Sequence, residues 1–145
     1  MAIKKKKRPT WAEMRKIKSY HVPIFGGWVV LTLDREEHDK YMEWLDIAEN
    51  ERPTDDLFEC CGFCNEYISK DGNQTVIVHI GDWKLDTLVH ELSHAVFKLL
   101  DHRGVETGSG SRETFCYLID TLFAEFYPAT TKRWQAEEDK KDAGE

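Results

Sequence analysis

The sequence predicts a small α+β domain, a short, mostly antiparallel sheet packed on one helix with a second helix behind it. Three observations carry that expectation. Apolar runs rich in β-branched residues occupy 28–33 and 74–80, a turn signal at Lys70-Asp71-Gly72-Asn73 joins the second run to 65–69, and two amphipathic helical patterns follow. At 145 residues with 41% hydrophobic content, the chain can bury enough apolar surface for one domain.

Taken in order, Thr10 to Ser19 reads as a short helix after Pro9, with Trp11, Met14 and Ile17 at spacing three. Trp28 to Leu33 reads as a strand. Asp34 then caps a helix over 35–49 whose stripe is Tyr41, Trp44, Leu45 and Ala48, and Pro53 closes the unit. Asp71-Gly72 supplies the positive φ that a hairpin turn requires. Gly81-Asp82 ends the second strand, and Leu85, Leu88, Val89, Leu92, Val96 and Leu99 recur at helical spacing up to a stop at Gly104. A last helix is expected from Ser111 to Phe126, ending before Pro128 on the stripe Phe115, Leu118, Ile119, Leu122 and Phe126. The domain boundaries follow as a basic arm over 1–20, a body over 21–134 and a charged, mobile tail over 135–145.

The net charge of −7 is unevenly spread, because residues 1–20 carry +7 and the rest −14. A run of Lys4, Lys5, Lys6, Lys7 and Arg8 offers a contact for nucleic acid or an acidic partner, although the acidity of the remainder argues against a general nucleic-acid binder. No apolar run is long enough to span a membrane, and none follows the basic cluster as a secretory leader requires, so a reducing cytoplasm is the expected location. Three of the four cysteines crowd one loop, Cys60, Cys61 and Cys64, with Cys116 apart. A disulfide framework spreads its cysteines more evenly, and a closed zinc site needs a second knuckle, so buried free thiols are expected.

The chemistry sits at His90-Glu91-Leu92-Ser93-His94, an HExxH pattern within the third expected helix. Spacing four puts both imidazoles on one face a turn apart, where they can share one Zn²⁺. Glu91, about 100° round the helix, can reach a metal-bound water without ligating the metal. A third ligand is required. Phe97 and Leu100 stand where a metzincin needs Gly and His, and His102 points aside. Glu106 is available from the connecting loop, and Glu113 is better placed at the start of the last helix, where Glu113, Tyr117 and Asp120 form one polar stripe.

These residues resemble the gluzincin metallopeptidases, and in brevity the minimal zincin domains of bacteria and their phages, over about Gln74 to Phe126. The resemblance implies zinc held by His90, His94 and Glu113, Glu91 as general base, and an extended peptide paired against the strand before the active helix. Tyr117 stands where many gluzincins place an Asp, leaving Asp120 for a supporting bond to a ligand. For the oxyanion, Tyr117, His79, His102 and Arg112 are the available donors. The implied activity is zinc-dependent hydrolysis of a peptide bond in a cytoplasmic peptide or protein. The alternative is a zincin-like interaction protein, its chemistry unused, binding a protein or nucleic acid.

Overall fold

In the computed structural model, which describes residues 7–144, four strands form one sheet in the order β1-β2-β4-β3. They are β1 (Ser19–His21), β2 (Trp28–Thr32), β3 (Gly62–Ile68) and β4 (Gln74–Ile80). β1 pairs antiparallel with β2 and β3 antiparallel with β4, whereas β2 and β4 run parallel from Trp28↔Thr75 to Thr32↔His79. This is the small, mostly antiparallel α+β domain the sequence predicts.

Alternation along the central strands makes two apolar faces. Val29 and Leu31 of β2, with Val76, Val78 and Ile80 of β4, meet Leu88, Leu92, Val96 and Leu99 of α4 (Leu85–His102), and Leu122 and Phe126 of α5 (Arg112–Ala143) complete that core. Val30 and Ile77 face the other way, against Met42 of α2 (Arg35–Trp44) and against Met14 and Ile17 in and just after α1 (Trp11–Met14). A further short helix, α3 (Asp55–Phe58), precedes β3.

The Leu33-Asp34 joint ties these layers together. Asp34 Oδ1 accepts from Glu37 N–H at 2.8 Å and so caps α2, while Oδ2 takes both Nη atoms of Arg133 on α5 at 3.0 Å. The Trp83 indole donates to Leu33 O at 2.7 Å and fixes the turn that launches α4; Trp83 itself is held at φ +55°, uncommon for a bulky side chain.

Several expectations need correction. Residues 10–21 belong to the body: Thr10 and Glu13 close a reciprocal cap on α1, Met14 and Ile17 are buried, and β1 joins the sheet. Lys4, Lys5 and Lys6 lie outside the described residues. α2 ends at Trp44, since Asp46 turns left-handed at φ +56°, and its buried residues are His38 and Met42. α5 runs through Pro128 to Ala143, so the expected mobile tail is helical as far as the structure describes it. Pro128 costs the bond to the Ala124 carbonyl. Leu122, Phe126 and Thr130 on either side are fully buried and Arg133 is anchored on Asp34, so packing overrides the local break.

On the α2 face, His38 and His79 sit at 0% and 3% exposure among Phe58 and Phe63. His79 Nδ1 bonds the Thr32 hydroxyl at 2.8 Å, and neither ring nitrogen of His38 has a partner. Burial lowers the pKa of His38 to about 3, with His79, Arg35 and Arg52 adding to the effect. Burial lowers that of His79 to about 4 against the pull of Asp34. Both are neutral in the fold, so below about pH 6.5 the unfolded chain takes up protons that the fold refuses. Stability present above that pH is lost on acidification toward pH 4 and then 3, by up to about 1.4 kcal/mol per pH unit for each group. Denaturant titrations from pH 7 to pH 4.5 should show this slope, and His38→Phe, which keeps a ring in the cluster, should remove about half of it. An unchanged slope in that variant contradicts the assignment.

Candidate metal centre

Burial of one stripe decides where every chemical group on α4 points. Leu88, Leu92, Ala95, Val96 and Leu99 are fully buried, which turns His90 and His94 outward on the opposite face. Asp82 steadies the start of the helix, accepting from Lys84 N–H at 3.1 Å and from the Thr87 hydroxyl at 2.8 Å. Gly104, at φ +69°, ends it.

The two imidazoles converge. Their Nε2 atoms are 3.3 Å apart and their ring centroids 4.9 Å. Two zinc–nitrogen bonds of about 2.0–2.1 Å at a tetrahedral angle separate the nitrogens by about 3.3–3.4 Å. The pair therefore fits one zinc ion.

Glu91 points elsewhere, as its place on the helix requires. It is 7% exposed and leans against the start of β3, where a Cβ added to Gly62 would stand 3.2 Å from Glu91 Cγ, 2.9 Å from Thr87 Cγ2 and 2.8 Å from His79 O. Burial raises the pKa of its carboxyl, and His90 and His94 pull it the other way. A cleft of about 460 Å³ opens beside it, lined by Cys61, Gly62, Asp86, Thr87, His90 and Glu91.

The third ligand lies outside the helix that carries the pair. Among the described residues no group of three His, Cys, Asp or Glu side chains is gathered to hold a metal, with Glu113 or with any other acid. The pairing of α4 with α5 gives the reason. Phe97 meets Phe115 at 4.9 Å, while at the other end Leu85 shares a groove with Thr131 and Trp134, so the helices run antiparallel. In that register the stretch of α5 beside the histidine turns lies around Leu118 to Ala124, and Glu113, exposed on the opening turn, falls beyond Phe97. Asp120, exposed, lies within that stretch.

Other expectations also move. Tyr117 is on α5 and 68% exposed. His79 is on the far face of the sheet, and His102 Nε2 lies 3.3 Å from Gly72 O at the hairpin turn, so neither serves the site. The strand before α4 cannot pair a peptide, because β4 is hydrogen-bonded on both sides. The strand available is β3, which pairs only with β4 among the described residues. Cys60, Cys61 and Cys116 are exposed rather than buried; only Cys64 is partly buried, its thiol pushed up to about 12 by burial.

Gly62 and Thr87 are the residues that sequence reasoning missed. The signal for Gly62 is weak, a glycine between cysteines just before a strand, and only the approach of α4 gives it meaning. Comparison with protein-family models, with curated proteins and with solved structures returned no match. Among the described residues no helix is long and apolar enough to cross a membrane. Because an added Cβ at Gly62 meets backbone and side-chain atoms together, Gly62→Ala should destabilise the fold by about 1–3 kcal/mol in urea titration. A variant as stable as the parent contradicts the close approach.

Proposed function

We propose that the chain is a zinc-dependent peptidase whose substrate is an extended peptide segment laid along the outer edge of β3. The observation that carries this is the 3.3 Å separation of the His90 and His94 Nε2 atoms, with the Glu91 carboxylate one residue on and buried against that edge. Zinc bound there supplies a water whose pKa falls toward ~7 and a Lewis acid for the carbonyl. Glu91 takes the proton of the attacking water at its carboxylate and returns it to the leaving amine, and its burial brings its pKa closer to neutral pH, where such a base is most effective. Among the described residues no strand pairs with the outer edge of β3, so a substrate strand gains main-chain hydrogen bonds there. A third protein donor would be Glu113, which the gluzincin resemblance implies, Glu106 of the connecting loop, or Asp120, which lies in the stretch of α5 beside the histidine turns.

The competing reading is a zincin-like interaction protein without turnover. It draws on one observation, that no third donor joins the pair among the described residues. Elemental analysis and peptide hydrolysis separate the two. The parent should bind one zinc per chain, His94→Ala should lose it, and Glu91→Gln should keep it while turnover falls by about 10²- to 10⁴-fold. Of Glu106→Ala, Glu113→Ala and Asp120→Ala, the one that releases zinc identifies the third ligand. Undiminished hydrolysis in Glu91→Gln removes the base assignment, and no hydrolysis by the zinc-loaded parent overturns the peptidase reading.

A further inference from the structure

On the α1/α2 side of the sheet, away from His90 and His94, a groove of about 610 Å³ is lined by Trp11, Arg15, Lys18, Trp28, Tyr41 and Trp44, among other residues. That volume is in the range of small-ligand pockets, about 300–1,000 Å³. Its aromatic rings are unusually open: Trp11 is 62% exposed and Trp28 44%. Trp11 and Trp44 lie 5.9 Å apart, and the Arg8 guanidinium sits over the Trp44 ring at 4.8 Å while donating to Trp44 O at 2.7 Å.

Charge is segregated onto this pole. The lining contains two cations and no carboxylate, although the chain as a whole is at −7. Glu13 accepts from the Thr10 N–H at 2.7 Å, and Lys18 already meets Glu125 of α5 at 3.5 Å, a half-exposed pair that a phosphate would have to displace. Lys7, Arg8 and Lys16 add to the basic field in the same segment.

We propose that this groove binds single-stranded nucleic acid, with bases stacking on Trp11 and Trp28 and phosphates paired with Arg15 and Lys18. The Trp11 ring lies against Trp44 and the Trp28 ring 4.9 Å from His21, and both keep exposed surface beside Arg15 and Lys18. Exposed rings beside cations are what a strand with a flat ring on every unit and a charge on every linkage requires. A duplex hides its base faces, and an acidic peptide has the charge without the rings. This site is separate from the metal centre and does not rest on the peptidase reading.

The test is fluorescence anisotropy with the full chain and a labelled ten-nucleotide oligo(dT) or oligo(U), at 50 and 200 mM salt, with a duplex of equal length and poly-glutamate as competitors. The single strand should bind and weaken with salt. Trp11→Ala and Trp28→Ala should each lose roughly 5- to 100-fold in affinity, and both should keep the parent's far-UV circular dichroism because neither residue is among the buried residues of the core. Arg15→Ala and Lys18→Ala should each lower the slope of log affinity against log salt by about 0.7. No binding at 50 mM salt, equal competition by duplex or by poly-glutamate, or tryptophan variants that bind like the parent would overturn the proposal.

Discussion

The arrangement depends above all on the burial of one helical stripe. Leu88, Leu92, Val96 and Leu99 are worth about 1.5–3 kcal/mol each when withdrawn from water, and the central strands offer a matching face. Once they are committed, the remaining positions of α4 have no choice: His90 and His94 look outward, and Glu91 turns into the seam with β3. The chemistry of the site is thus set by packing on the far side of the helix. No polar contact is needed to aim the histidines, since a four-residue interval on a fixed helix already brings their Nε2 atoms to 3.3 Å.

That is why the placement of the histidine pair and of Glu91 on α4 was legible in the sequence and the placement of the α5 acids relative to them was not. Periodicity within one helix needs only the 3.6-residue turn, and the stripe, the histidine face and the stop at Gly104 all follow from it. A ligand from another helix depends on how α5 slides against α4, which is set by contacts such as Phe97 with Phe115. A slide of one turn exchanges Glu113 for Tyr117 and a slide of two turns exchanges it for Asp120, and no local pattern encodes either. The same limit hid the parallel pairing of β2 with β4 and the three-residue β1, both products of long-range contact. Pro128 misled for a related reason. Its local cost is real, but Phe126, Thr130 and the Arg133 link to Asp34 lie on both sides of it and hold the helix together.

The sheet separates two polar environments. On the α4 side the imidazoles of His90 and His94 are exposed and free to meet a cation, whereas on the α2 side His38 and His79 are sealed among aromatic rings and held neutral. Identical side chains therefore take opposite roles by burial alone: one pair is a candidate binding site, the other a source of acid sensitivity. Of the exposed cysteines, one reaches the α4 side. Cys61 lines the cleft beside Glu91, but the described residues gather no group of three ligands around it.

X-ray absorption at the zinc edge of the loaded protein tests the central claim most directly, because it reads the atoms bound to the metal. Two imidazole nitrogens at about 2.0–2.1 Å, with the remaining positions filled by oxygen, are the predicted shell. Sulfur at about 2.3 Å would place the metal on the cysteines instead and contradict the account.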